Sequence, residues 1–455
     1  MLTSIVAAIV ILGLLIVVHE LGHFVMAKQL GVRVLRFSIG YPPRIWGIRR
    51  GETEYVIGAT PFGGYVRMLG DEIGGDPKPE ELANYLNEIG IDLVAAAVKR
   101  GHIDKGAKPA EALPMIAPRL ANVETEPAGA TAAKREFGRA LRPDESLLLA
   151  EIRNRDSVEA AVKSLSERGP RILIDSFRKR SFPAQPLMRR TLIVLAGPLA
   201  NLLFAPVLLI FIFLYGVPQL LPVVGEVKDG MPAQQAGIQP GDRIVTANGK
   251  PLMTWAEFSE QVKSGDGSPL TLEIERKVDN QTSVKSLLIK PARDKQDTIY
   301  GTKIDTWIIG VTPRGDEIIK RVGPIDAVYF GTMTTIAMTT QLGVGIYHII
   351  AGDTPVRGAL GGPILIAQMA GRQAQEGFAN VALFTVMLSL QLGIVNLLPV
   401  PLLDGGHLLF FAFEGVRGKP LALRHREVAL QVGLFLLVAL MAFVIFNDIT
   451  RIVQG

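Results

Sequence analysis

The stretch "IVILGLLIVVHELGHFVMAKQLG", residues 9–31, is oily enough to lie in a membrane, yet it carries His19, Glu20 and His23. An ionisable group in hydrocarbon costs on the order of 3 kcal/mol or more, and where one persists it marks function. About 20 apolar residues suffice for one crossing, and residues 1–28 supply them. A secretory signal peptide would need a basic n-region before the oily core and a small-x-small cleavage site after it. Neither is legible here, so the segment is expected to remain as a membrane span.

Three more segments meet the same criterion: residues 186–217, the first part of 377–426, and 427–447. Residues 320–376 hold many threonines and glycines and no Leu-rich core, so they are predicted to lie along the interface as an amphipathic segment. The expected fold class is a polytopic α-helical membrane protein with four transmembrane helices. Its contact with the lipid bilayer is its first partnership.

Lysines and arginines cluster after the first span (Lys28, Arg33, Arg36, Arg44, Arg49, Arg50) and before the second (Arg178, Lys179, Arg180, Arg189, Arg190). They cluster again between the third and fourth (Arg417, Lys419, Arg424, Arg426). Basic loops stay cytoplasmic. Both termini and the stretch between spans two and three are then expected outside, and all four spans agree with one orientation.

The 455 residues include no cysteine, which excludes a disulfide framework, a thiolate metal site and a thiol nucleophile. The net charge of +5 is small and concentrated beside the spans, so it reads as topology, and no nucleic-acid partner is expected.

Three soluble parts hang from the spans. In residues 29–70, "GETEYVIGATPFGGYVRML" reads as strand, turn, strand, a cytoplasmic, membrane-associated β-hairpin region. Residues 71–185 form an insertion of unknown role. There "ELANYLNEIGIDLVAAAVKR" reads as helix, whereas "KPAEALPMIAPRL" and "ETEPAGATAAK" read as loop or linker. A spacer or accessory domain is favoured over a binding site for a regulator or a nearby protease, since nothing in the insertion has ligand or catalytic spacing. Residues 222–314 read as a compact domain of short strands. Its "MPAQQAGIQPGDRIVTANG" is similar to a PDZ domain of the bacterial protease type, a β-rich α/β fold. That resemblance implies a peptide or C-terminus bound by strand addition at an open sheet edge.

In "HELGH" the two histidines are four residues apart, so on a helix they share one face. Two imidazoles so placed can hold one divalent metal, with Glu20 in reach of a metal-bound water. Zn2+ suits imidazole and carries no redox chemistry. Together they make peptide hydrolysis without a covalent intermediate, zinc polarising the carbonyl and Glu20 relaying the proton. A catalytic zinc needs a third protein ligand. The other polar break in an oily region is "NLLPVPLLDGGHLLFF", residues 396–411, where Asp404 offers a carboxylate and His407 competes on chemistry alone. Like HELGH, this break falls near the cytoplasmic end of its span. His102, His348 and His425 are isolated and receive no role.

HELGH in span one, Asn-x-x-Pro running to Leu-Asp-Gly-Gly after span three, and a PDZ-like stretch between spans two and three together resemble the bacterial site-two proteases of the RseP type. The resemblance covers residues 1–70 and 186–450. It implies an intramembrane zinc metalloprotease of the bacterial inner membrane, with His19, His23 and Asp404 as zinc ligands and Glu20 as catalytic base. It also implies that Asn396 helps hold substrate. "LAGPLAN", ending at Asn201, matches the family's second-span motif and is expected to pack beside the site. "PFGGYVRML" matches a membrane-associated β-element, with Gly63, Gly64, Tyr65 and Val66 expected to bind substrate. "ALGGPILIAQMAG", residues 359–371, resembles the family's element before span three, where a lid and an ordinary turn both remain open. The implied substrates are single-pass transmembrane proteins cut in regulated intramembrane proteolysis, of the anti-sigma factor or remnant signal peptide kind. The implied topology places both termini and the PDZ domain in the periplasm and the active site near the cytoplasmic side.

The chain departs from the family in two ways: the RseP type carries two tandem PDZ domains where one is legible here, and residues 71–185 match no recognised element. Two rival classes remain open. A non-catalytic scaffold would not need Glu20 beside all three ligands, and a metal transporter would not need an external PDZ domain.

Overall fold

A computed structural model describes residues 2–71, 78–104, 106–120, 133–168, 171–278, 281–297, 303–352 and 361–454. Residues 124–132 of the expected linker and residues 359–360 lie outside the described residues. Among the described residues four helices are long and apolar enough to cross a membrane. They are α1 (Leu2–Gln29) and the helices Leu187–Tyr215, Phe378–Asn396 and Leu423–Gln454. A helix bonds its own backbone groups, as a span in hydrocarbon must. Leu203, Phe211 and Phe435 face outward, an arrangement suited to lipid rather than water.

The chain divides into two compact units. One comprises Ile9–Leu202 and Leu392–Leu437. Here α1 is followed by β1 (Val34–Arg50) and β2 (Thr53–Met68), both long enough to pair along more than one line. Residues 44–50 run back along 53–58, while Val34 to Ile39 pair with Met68 to Gly64. The last segment of β2, from Gly64 to Met68, therefore has a paired side and an open side among the described residues.

The insertion is a helical body joined to this sheet. Its helices α2 (Pro79–Lys99), α3 (Pro109–Leu120), Pro143–Arg153, Val158–Arg168 and Arg171–Arg180 enclose Leu86, Ile89, Leu113, Leu148, Leu165 and Leu173. Along α2 the buried positions Leu82, Tyr85, Leu86, Ile89 and Leu93 repeat every three or four residues, the mark of one apolar face. The expected loop at "KPAEALPMIAPRL" is instead the helix α3, with Pro114 and Pro118 inside it. An interior proline costs about 3 kcal/mol. For the two together that is about 6 kcal/mol. Burial of Leu113, Ile116 and Leu120, at roughly 1.5–3 kcal/mol per large side chain, is of the size needed to offset it. Leu69 of the sheet's exit belongs to the same core, with Leu35 packed against it.

The other unit comprises Met1–Ala8, Leu203–Gln391 and Val438–Gly455. Its largest sheet has four antiparallel strands in the order Lys250–Pro251, Arg243–Ala247, Leu270–Val278, Gln281–Ile289. Ile244, Leu272 and Ile274 from this sheet pack with Phe258 and Val262 of the helix Trp255–Lys263. Strand Val311–Pro313 pairs with Val224–Val227 on one side. A groove of about 250 Å³ lies beside it, lined by Trp255, Phe258, Val262, Lys228 and Lys263. Strands Val217–Leu220 and Glu317–Lys320 pair as a short stem.

The segment expected as one interfacial stretch holds two helices, Pro324–Ala351 and Pro363–Glu376. The first exposes Ile325, Val328, Tyr329 and Ile336. At the start of the second, the backbone N–H groups of Gly362, Ile364 and Leu365 donate to the carboxylate of Asp448, at 3.0–3.1 Å.

Candidate active site

One helical turn on α1 separates His19 from His23, and their Nε2 atoms stand 3.2 Å apart. The third group arrives from a broken helix. The span Phe378–Asn396 stops at Asn396, the chain reverses through Leu402 at φ +85°, and a new helix begins at Asp404. Positive φ is strained for a leucine and persists only where the surroundings enforce it. The reversal places Asp404 Oδ2 3.0 Å from His19 Nε2 and 3.5 Å from His23 Nε2.

These separations fit a metal. Zinc at 2.0–2.2 Å from nitrogen and oxygen ligands in a tetrahedron sets those ligands about 3.3–3.5 Å apart. Asp404 Oδ2 is buried and has no hydrogen-bond partner, the state of a lone pair kept for a cation. Among the described residues, His19, His23 and Asp404 are the one group of three or more such side chains close enough to share an ion. His407, the competitor on chemistry, lies outside that group.

The imidazoles are oriented from behind. His23 Nδ1 lies 2.8 Å from the Ile193 carbonyl of the second span, so Nδ1 carries the proton and Nε2 is left as the ligand nitrogen. His19 Nδ1 lies 3.3 Å from the side-chain amide of Asn201, which is fully buried. The oxygen and nitrogen of an amide are assigned by their surroundings. The structure sets the amide nitrogen Nδ2 at His19 Nδ1; with the amide turned over, its oxygen accepts the Nδ1–H and fixes that ring in the same tautomer. The motif "LAGPLAN" thus stands directly behind the histidines. A β-carbon on Gly197 would fall 2.2 Å from His23 Nε2, so only glycine leaves the ring in this position.

Glu20 lies next to His19, and Val66, the last of the four β-element residues expected at the site, lines the same cavity. Gly64 stands where a β-carbon would meet the Ser38 carbonyl at 2.8 Å, Ile16 at 3.0 Å and Glu20 Cγ at 3.1 Å. Close approach to the β1 backbone and to α1, rather than turn geometry, requires glycine there. Gly63, Gly64, Tyr65, Val66 and Asn396 line one cavity of about 410 Å³ with His19, Glu20, His23 and Asp404. The cavity therefore brings together every site residue expected from the sequence. It also includes Tyr41, which sequence reasoning missed; its ring stacks on Tyr65 with centroids 6.2 Å apart. Nothing in the local sequence signals that contact, because it depends on how β1 meets β2.

The family model for peptidase family M50 matches residues 7–440. The chain is 34% identical to the protease RseP of Yersinia pestis, over 99% of each chain. It is 33% identical to the zinc metalloprotease RasP of Geobacillus kaustophilus, over 99% of this chain and 98% of that one. Identity to the regulator of sigma-E protease RseP of Escherichia coli is 33%, over 98% of both. These matches extend beyond the motif-bearing residues 1–70 and 186–450.

Proposed function

The chain belongs to peptidase family M50 and is a site-two zinc metalloprotease of the membrane. From that premise we propose that it hydrolyses peptide bonds within or beside the transmembrane segments of single-pass membrane proteins. His19, His23 and Asp404 hold the Zn2+, and Glu20 is the catalytic base. One observation carries this: three ligand atoms within 3.5 Å of one another, beside a glutamate, in a cavity edged by an open strand.

Bound zinc supplies Lewis acidity, which polarises the scissile carbonyl and makes water acidic enough to lose a proton near pH 7. Glu20 takes that proton and returns it to the leaving amine. A substrate helix hides its carbonyls in its own hydrogen bonds, so it must unwind before it is cut. The open side of residues 63–66 replaces those bonds by strand addition, and Asn396 holds the unwound chain from the opposite element.

Residues 222–314 serve as a periplasmic PDZ domain. A peptide or free C-terminus adds beside Val311–Pro313, with Lys228 and Lys263 facing its carboxylates. The basic loops set the orientation, with both termini in the periplasm of a bacterial inner membrane and the site near the cytoplasmic face. The helix Pro324–Ala351 lies along the bilayer surface on its exposed apolar residues. Relatives named for regulation of sigma-E support substrates of the anti-sigma factor kind, and remnant signal peptides share the same single-pass form.

The test is cleavage of a tagged single-pass substrate, its outer domain truncated, by purified protein in detergent beside Glu20→Gln, with metal measured on both. Cleavage by the parent alone, with about one zinc per chain in each, is the expected result. Equal cleavage by both would remove Glu20 from the mechanism.

A further inference from the structure

The helix that begins at Asp404 is tied to the second span at its far end. Arg190, in the first turn of that span, grips Glu414 with both arms of its guanidinium. Nη1 donates to Oε2 at 3.1 Å and Nη2 to Oε1 at 2.5 Å. The Arg190 Nε donates to the Gln185 carbonyl at 3.0 Å, and its guanidinium carbon lies 5.0 Å from the centre of the Phe411 ring. Gln185 is itself buried, its amide donating to the Lys179 and Ser181 carbonyls. A planar fork on a carboxylate fixes direction as well as distance, which a lysine cannot do. The two side chains are only 13% and 17% exposed, so water and salt screen the pair little.

Both helices carry this contact on the face that serves the metal site. On the second span, Gly197 and Asn201 follow Arg190 by about two and three turns. One face of that span therefore bears Arg190 and the two residues that stand behind His23 and His19. On the helix Asp404–Arg417, Phe411 and Gly415 follow Asp404 at the same intervals. Its face bears the ligand, the ring beneath Arg190, and a glycine whose β-carbon would meet Leu187 at 3.3 Å.

A shared ion requires His23 and Asp404 at a fixed separation, yet different parts of the chain hold them. The second span holds His23, through the Ile193 carbonyl and the space left at Gly197. Asp404 stands at the end of the main-chain reversal, and that reversal is braced on the second span from both sides. Before it, a β-carbon on Gly393 would fall 2.9 Å from Leu202 and 3.1 Å from the Pro198 carbonyl. After it, about 15 Å along the helix from Asp404, Glu414 meets Arg190. A slide of that helix along its axis carries Asp404 with it, and about 1 Å of misplacement at a site can cost about 100-fold in rate.

We infer that Arg190 and Glu414 are positioning residues for the metal centre. Their ion pair sets where the helix Asp404–Arg417 lies along the second span, and so keeps Asp404 in reach of the ion that His19 and His23 bind. The inference rests on the reading of His19, His23 and Asp404 as the zinc ligands.

The test is zinc affinity of the full-length protein in detergent, measured by competition with a chelator. The visible spectrum of the cobalt-loaded protein, which reports ligand geometry, is read beside it. Glu414→Gln and Arg190→Lys each weaken zinc binding about tenfold and alter the cobalt spectrum. Exchanging the charges, Arg190→Glu with Glu414→Arg, recovers most of both. An ion pair remote from the metal gives the comparison: Asp242→Asn breaks the pair with Arg276, lowering thermal stability while zinc affinity stays at the parent's level. Arg190 and Glu414 variants that behave like Asp242→Asn overturn the inference, and so does an exchange that restores nothing. Should Glu414→Gln fail to fold, Arg190→Lys, which keeps the charge and loses the fork, decides alone. Asp404→Ala tests the premise. If it too keeps the parent's affinity, the ligand reading fails and the inference falls with it. Zinc lost there but kept in the Arg190 and Glu414 variants removes the positioning role alone.

Discussion

Gly197 and His23 touch so closely that a single methyl group on the glycine would fall 2.2 Å from the ring nitrogen facing His19 and Asp404. The atom in the way is the far end of a side chain, so Gly197→Ala moves the imidazole rather than the helix. The cost then falls on the metal and not on the fold. Zinc affinity is expected to drop about 10–100-fold, the range for losing a group that orients a ligand. Competition with a chelator measures it, and an unchanged circular dichroism spectrum separates it from unfolding.

Asn201 and His19 make a second such pair. Asn201→Ala removes the acceptor behind Nδ1 and should weaken zinc binding by a similar factor of about 10–100. Asn201→Asp keeps an acceptor in place and should retain most of the affinity. Equal loss in the two variants would show that the side chain merely fills space.

Gly64 separates geometry at the strand from geometry at the metal. In Gly64→Val the side chain collides with the Ser38 carbonyl and with Ile16, pushing residues 63–66 away from α1. Cleavage should fall about 100-fold, since small misplacement at a site costs that much. Zinc content should stay at the parent's level. Zinc loss alongside the activity would place the strand's role at the metal instead.

Glu52, in the turn between β1 and β2, gives a pH dependence. Burial pushes its carboxyl up, but Arg180 and Lys28 more than reverse this and hold it at about 2. An unfolded glutamate titrates near about 4.3. Its folded value is therefore depressed, so its contribution is present above the unfolded value and is lost as pH falls from about 4.3 toward 2. That contribution is roughly 3 kcal/mol before solvent screening of its partly exposed side chain. Thermal unfolding of parent and Glu52→Gln across this range should show a gap that closes toward low pH. A constant gap would mean that packing, not charge, is lost.

Much of the site is legible in the sequence because its signals are local. A run of apolar residues, and two histidines four apart with a glutamate between, require only helical geometry. The choice between Asp404 and His407 was not local. Three residues apart on one helix, they were separated only by where that helix begins. The Ile193 carbonyl that orients His23 left no trace, since every residue type offers the same backbone acceptor. In α3, two prolines gave a correct local signal that burial of Leu113 and Ile116 overrode.

The break at Leu402 has a consequence for anyone who would transplant this chemistry. HELGH can be grafted onto another membrane helix, and two ligands and a base would travel with it. Asp404 would not, because its place is fixed by a main-chain reversal and the onset of a second helix. A recipient scaffold must therefore supply an interrupted helix opposite the graft. Without one, the borrowed histidines have no third ligand to complete the site.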